Sequence, residues 1–263
     1  VHGPYEPNAT TAGAQPDWYM GFPDGALRLL PGGMEFETFG FTWAWPVIVG
    51  ALLVIPAFYG GMIAYPFIEA WITGDKREHH LLDRPRNRPT RTALGVAAFT
   101  LWLVLTLAAS NDIMAIKFNL SINDITNLFR ISVFVLPVIV FWATKRICIS
   151  LQRADRDKVL HGRETARIIR TPEGRFFEAH EPLDEYTRWT LVQHEAPAPL
   201  ELESATDANG VDKKGARKRK LRAKLHDFYF GGAVQPVTPA ELEAAHHDHG
   251  HEAIESGDKV STH

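Results

Sequence analysis

Hydrophobic residues are concentrated in three long runs within the first 150 positions of the chain. The first run extends from Trp43 to Ile72 and contains one charged residue, Glu69. The second covers residues 92–110 without a charge, and the third covers 125–149 with its charges near the ends. Since a helix rises 1.5 Å per residue, about 20 residues cross a hydrocarbon core. The pattern predicts three transmembrane helices rather than buried helices of a soluble protein.

A short amphipathic stretch from Met20 to Leu30 precedes the first run. Pro16 suits the first turn of a helix, and Asp17 then lies near the helix N-terminus, where a carboxylate is favoured. Trp18 and Tyr19 follow directly. On physical grounds alone these residues fit a surface helix with interfacial aromatic anchors as well as they fit a binding site.

Basic residues predict the orientation of the three helices. The connector at residues 74–91 contains six Lys or Arg residues, whereas the segment before the first run has only Arg28 against five acidic residues. Cytoplasmic loops carry the excess of basic residues, so the connector is predicted to be inside. Residues 1–42 are therefore predicted to lie outside, and the chain after the third helix is predicted to be cytoplasmic.

The composition changes after the membrane segment, which we place at residues 43–151. Residues 152–194 are predicted to form a cytoplasmic helix and a hairpin, and residues 195–263 a disordered tail. The tail contains a basic run, Lys213 to Lys224, and a histidine-rich stretch, His246 to His251. We interpret the first as a contact for anionic lipid head groups and the second as a flexible end rather than a metal site. The fold class is thus an all-α membrane protein with a short outer-surface amphipathic helix and a largely irregular cytoplasmic extension.

Charge and cysteine content exclude several classes of protein. The formal net charge of -3 gives no reason to expect nucleic acid as a partner. The single cysteine, Cys148, excludes an intramolecular disulfide and a c-type haem attachment motif. The predicted spans also lack the mid-membrane charges and paired broken helices typical of small transporters.

The order of these features resembles the C-terminal half of cytochrome b from the actinobacterial cytochrome bcc complex. In that family a Pro-Glu-Trp-Tyr motif and a short helix precede the last three transmembrane helices. This chain has Pro16-Asp17-Trp18-Tyr19 at the corresponding place, with Asp instead of Glu. Four further strings resemble the family: YPFIEAW at 65–71, GDKREHHLLDRP at 74–85, LSIN at 120–123 and TKRIC at 144–148.

The resemblance implies a respiratory quinol:cytochrome c oxidoreductase subunit that contributes the outer quinol-oxidation pocket. Asp17 would accept the proton of the quinol hydroxyl, and Tyr19 would position the quinone ring. The implied quinol-binding residues are Pro16, Trp18, Met20 and Asp24. The implied substrate is menaquinol, oxidised to menaquinone. The two b-type haems of the complex would be ligated outside this chain, because no histidine lies within the three predicted spans, and no metal site is predicted here.

The resemblance also implies an assembly in the bacterial plasma membrane. The expected partners are the N-terminal half of cytochrome b, a Rieske iron-sulfur subunit, a di-haem cytochrome c, a terminal cytochrome c oxidase and anionic lipids, in a dimeric complex. We expect the chain to be a fragment that is inactive alone, or a split-type C-terminal subunit. A non-catalytic membrane scaffold is the alternative from another functional class.

Overall fold

The computed structural model describes residues 17–30, 34–45, 47–75, 83–170, 174, 176–192, 215–235 and 237–245. Pro16 and the histidine-rich stretch 246–251 lie outside these ranges. The contacts divide the chain into two units. The first contains the chain up to Gly74 together with Thr90–Lys145, and the second contains Asp75–Pro89 and the chain from Arg146 onward.

Three described helices are long and apolar enough to cross a membrane. They are α2 (Val47–Thr73), α3 (Pro89–Ala108) and α5 (Ile122–His161). They confirm the predicted all-α membrane fold. All three differ in extent from the predicted spans. The helix α2 begins four residues later, α3 begins three residues earlier and ends two residues earlier, and α5 continues twelve residues beyond position 149.

A β-hairpin precedes α2 in place of the expected start of the first span. Strands β1 (Met34–Thr38) and β2 (Phe41–Trp45) pair antiparallel around the turn Phe39-Gly40. Both turn residues have positive φ angles, 56° and 76°, as a two-residue type I′ turn requires. The β-branched and aromatic residues of Phe41–Trp45 favour a strand. Residues 43–45 therefore belong to the hairpin rather than to the first membrane helix.

The core of the first unit is built around a short helix, α1 (Gly21–Leu29), which follows a 3-10 turn at Trp18–Met20. Phe22, Ala26 and Leu29 of α1 pack against Leu105 and Ala108 of α3. Partly buried side chains of α2 and α5 surround this cluster, and the rings of Phe22 and Phe58 lie 5.5 Å apart. This short helix is the amphipathic helix predicted from the sequence. A further helix, α4 (Asn111–Phe118), connects α3 to α5.

The described part of the second unit contains the polar end of α5, a hairpin and three further α-helical segments. Strands β3 (Arg163–Arg170) and β4 (Phe176–Glu181) pair antiparallel, followed by α6 (Glu185–Leu191) and α7 (Ala216–Phe230). Residues 239–245 are also helical. Val159, Val192 and Val237 form the apolar cluster of this unit.

The helix α7 departs from the disorder predicted for residues 195–263. Its basic residues are good helix formers, and Tyr229 near its C-terminal end is buried. Val237, which follows α7, is 1% exposed. Burial of these two side chains offsets the loss of conformational entropy on ordering this part of the chain.

Candidate functional site

Residues 17–20 form an exposed turn that leads into α1. The backbone N–H of Met20 donates to the carbonyl oxygen of Asp17 at 2.8 Å, which closes the turn. The side chains of Trp18, Tyr19 and Met20 are 74%, 52% and 46% exposed. The turn therefore presents one carboxylate, one phenol and two large apolar side chains on a single short segment.

Within this turn, the hydroxyl of Tyr19 donates a hydrogen bond to Oδ2 of Asp17 at 2.8 Å. This bond raises the pKa of Tyr19 above its ordinary value, because the carboxylate accepts from the protonated phenol and disfavours its ionisation. The ring of Trp18 contacts that of Tyr19 edge-on, with centroids 5.9 Å apart. The structure thus brings together Asp17 and Tyr19, the two residues predicted to be catalytic, with Trp18 beside them.

Two glycines of α1 let this helix approach α3 closely. A Cβ atom at Gly25 would overlap the carbonyl oxygen of Leu105, and one at Gly21 would lie 2.8 Å from Cγ2 of Thr106. Residues four apart lie on the same face of a helix, so these glycines form one contact surface. Small residues at this spacing allow close packing of helices in membranes. The position of the exposed turn is consequently fixed by contact between α1 and the backbone of α3.

A polar cluster holds the other side of α1. Arg28 donates through Nε to Asp24 at 2.8 Å, and through Nη1 to Asp112 at 2.9 Å and Asn111 at 3.1 Å. The carboxylate of Asp112 is 10% exposed. The structure therefore places Asp24 in an ion pair with Arg28, separate from the pair formed by Asp17 and Tyr19.

The sequence interpretation missed the roles of Arg28, Asn111 and Asp112. The spacing of Asp24 and Arg28 at i and i+4 predicts their ion pair and offers a signal for it. Asp112 lies more than 80 positions further along the chain, and no local pattern connects it to Arg28. Pro16, predicted to bind quinol, lies outside the described residues.

An open, apolar cavity of about 610 Å³ lies in the first unit, at the C-terminal end of α1. Its walls come from all three membrane-length helices and include Leu29, Val54, Phe58, Leu101 and Val133. Arg130 of α5 is the one charged side chain among the described residues that line it. The volume lies within the range of about 300–1,000 Å³ typical of small-molecule sites.

The described residues form no candidate site for a metal ion held by three or more side chains. In these ranges no group of three or more His, Cys, Asp or Glu side chains is close enough to hold a metal ion. Among the residues of α2, α3 and α5 the one histidine is His161, the last residue of α5.

Comparison with known proteins identifies the relatives of this chain. No family model matches it. The cytochrome bc1 complex cytochrome b subunit of Streptomyces coelicolor is 51% identical over 251 residues, which are 95% of this chain and 46% of that protein. The corresponding subunit of Mycobacterium leprae is 41% identical, over 81% of this chain and 37% of that protein. The chain belongs to the cytochrome b family.

A third cytochrome b subunit, from Corynebacterium efficiens, is 36% identical over 94% of this chain and 43% of its own length. The chain thus spans less than half the length of the curated relatives it matches. The share that it covers is consistent with the C-terminal half of cytochrome b. These relatives confirm the resemblance predicted from Pro16-Asp17-Trp18-Tyr19 and the three membrane helices.

Proposed function

We propose that this part of cytochrome b forms the outer quinol-oxidation pocket of a respiratory quinol:cytochrome c oxidoreductase. The observation that carries the proposal is the hydrogen bond between Tyr19 and Asp17, on an exposed turn anchored by α1 to the membrane helices. A carboxylate accepts protons, and a phenol can exchange its partner for a quinol oxygen. This pair therefore suits a substrate that must lose protons as it is oxidised.

In the proposed mechanism, Asp17 accepts the proton of a quinol hydroxyl and releases it to water, which its exposure permits. Tyr19 positions the quinol by donating its O–H to the ring oxygen. The exposed side chains of Trp18 and Met20 pack against the ring. Pro16 is proposed as a further quinol-binding residue. Oxidation to the quinone releases two protons and two electrons, and the electrons leave to acceptors held by partner subunits.

Asp24 is proposed as a second group on the path of the proton away from Asp17. It lies seven residues beyond Asp17, about two helical turns, and its side chain is 26% exposed. Its ion pair with Arg28 gives it a role in anchoring α1 as well. We therefore expect Asp24 to contribute to release rather than to the first proton transfer.

The substrate and partners are part of the same proposal. The substrate is menaquinol, and the electron acceptors are a Rieske iron-sulfur subunit and b-type haems ligated outside this chain. The N-terminal half of cytochrome b, a di-haem cytochrome c and a terminal cytochrome c oxidase complete the assembly, which is dimeric. Haem in this assembly would supply one-electron transfer within the membrane. The distribution of basic residues supports an outer location for residues 17–30 and a cytoplasmic location for the chain beyond α5.

The substitution Asp17→Asn in the assembled complex tests this proposal. We expect quinol-dependent reduction of cytochrome c to fall at least tenfold, a barrier increase of about 1.4 kcal/mol. Haem content and subunit recovery should stay normal. Asp124→Asn is the matched control, because Asp124 is an exposed carboxylate of the same unit for which no bond is found within the described residues.

Two other outcomes would contradict the proposal. Normal turnover in Asp17→Asn would refute Asp17 as the proton acceptor, and Asp24→Asn would then be measured in the same assay. Failure of the complex to assemble, with Asp124→Asn intact, would favour a membrane scaffold, since a scaffold residue alters assembly rather than turnover.

A further inference from the structure

The cavity beside Arg130 is separate from the proposed quinol site. Asp17 precedes Ala26, the first residue of α1 that lines the cavity, by nine residues, or about 14 Å along a helix. The cavity is lined almost entirely by apolar side chains. A single guanidinium at an apolar cavity differs chemically from the exposed carboxylate and phenol of the turn at residues 17–20.

Arg130 differs from the other arginines that bind across the first unit. Arg28 pairs with Asp24 and Asp112, and Arg91 pairs with Glu69. Arg130 donates instead to two neutral groups: Nε to the carbonyl oxygen of Leu29 at 2.7 Å, and Nη1 to Oδ1 of Asn127 at 3.1 Å. Within the described ranges no carboxylate neutralises it. Its positive charge therefore remains uncompensated beside the apolar cavity.

The two bonds also orient the guanidinium. They leave Nη2 without a hydrogen-bond partner among the described residues, although a guanidinium has five N–H donors. An uncompensated arginine within a membrane helix is costly and usually meets an anion, a carbonyl or water. A guanidinium binds carboxylate and phosphate in a planar, paired geometry, and phosphate is the anion that membrane phospholipids carry. An apolar cavity with an uncompensated guanidinium beside it favours a ligand that has both an anionic phosphate and hydrocarbon chains.

We propose that the cavity binds one anionic phospholipid, with an acyl chain between α2, α3 and α5 and the phosphate on Arg130. Ala57, a small residue of α2, lines the cavity and leaves room for the chain. The charge of Arg130 distinguishes this occupant from a neutral quinol tail or an apolar helix of another subunit, neither of which would compensate a guanidinium. Basic sites between membrane helices bind phospholipid head groups on this principle.

The test measures the phospholipid that remains with the complex purified in mild detergent. Lipids are extracted and quantified by mass spectrometry for the unmodified complex and for Arg130→Gln, which keeps a donor for Leu29. We expect Arg130→Gln to retain at most one third of the tightly bound anionic phospholipid. Arg130→Lys should retain most of it, because lysine keeps the positive charge. Arg153→Gln is the matched control, because Arg153 is an exposed arginine of the same helix without a bonded partner among the described residues.

A second variant tests the apolar part of the site with the charge intact. Ala57→Phe places a large side chain in the cavity, and we expect the same loss of bound phospholipid. This variant also decides the question if Arg130→Gln fails to assemble. Unchanged phospholipid in Ala57→Phe, an equal loss in Arg153→Gln, or loss of bound quinone in place of phospholipid would each overturn the proposal.

Discussion

The turn at residues 17–20 and the helix at residues 21–29 adjoin each other but have opposite environments. The turn exposes its side chains and makes its described side-chain hydrogen bond internally, between Tyr19 and Asp17. The helix buries Phe22, Ala26 and Leu29, contacts α3 through two glycines and binds α4 through Arg28. A rigid anchor thus carries an accessible reactive group. Substitutions in the helix should act through position and stability, whereas substitutions in the turn should act through chemistry.

The largest effect is expected from Gly25→Ala, which breaks the anchor itself. The added methyl group would overlap the carbonyl oxygen of Leu105, and a backbone atom cannot move aside as a side chain can. Overpacking of this kind costs about 1–3 kcal/mol or more. Recovery and thermal stability of the complex should both fall. Gly60→Ala is the control, since among the described residues no atom outside the helix backbone around Gly60 lies within 4 Å of a Cβ at that position. Equal behaviour of the two variants would refute the close contact.

A smaller effect is expected from Arg28→Gln, which removes the charge that joins α1 to α4. The side chain of Asp112, 10% exposed, would lose its ion pair with Arg28. Losing a charge-assisted hydrogen bond to a partly buried carboxylate costs about 1–3 kcal/mol. The melting temperature of the complex should fall, while the turnover of the folded fraction should change less than in Asp17→Asn. A melting temperature equal to that of Arg153→Gln would contradict this role.

The smallest effect is expected from Tyr19→Phe, which removes the hydrogen bond from Tyr19 to Asp17 in the exposed turn. The pKa of Tyr19 is raised in the folded state, so the bond stabilises the fold below the ordinary pKa of 10.0 and is lost as the pH rises through the raised value. Folding should barely change, and turnover should fall a few-fold. The stability difference from the unmodified protein should vanish at high pH.

Titration of thermal stability from about pH 8 to pH 11, across the ordinary tyrosine pKa, measures this dependence. Tyr186→Phe is the control, because Tyr186 is 75% exposed and no bond to its hydroxyl is found among the described residues. If the difference in thermal stability between Tyr19→Phe and the unmodified protein persists unchanged above the raised pKa, the hydrogen bond donated by Tyr19 is not its cause.

Much of the membrane part could be predicted from the sequence because each signal is local. The length of the apolar runs is sufficient to predict α2, α3 and α5, and Asp17 and Tyr19 are only two residues apart. The hairpin at residues 34–45 was missed because aromatic and β-branched residues also suit the edge of a membrane span. The helix α7 was missed because its basic composition is equally typical of a solvated tail.

Contacts between distant segments could not be predicted from the sequence, because no local pattern indicates them. Nothing near Asp112 indicates that its partner is Arg28, since the two meet only when α1 lies against α3 and α4. The glycines at 21 and 25 are equally ambiguous, because a glycine within a helical pattern does not show which element approaches it. The cavity beside Arg130 arises from the spacing of three helices, which hydrophobic periodicity does not determine.

The two glycines of α1 should differ in whether a second mutation can rescue their loss. At Gly21 the obstructing atom is the Cγ2 methyl group of Thr106, and Thr106→Ser removes it while retaining the hydroxyl that donates to Trp102. Growth impaired by Gly21→Ala should therefore yield suppressors at position 106. At Gly25 the obstructing atom belongs to the peptide backbone, which every residue at position 105 shares. A suppressor screen should recover none at position 105 for Gly25→Ala.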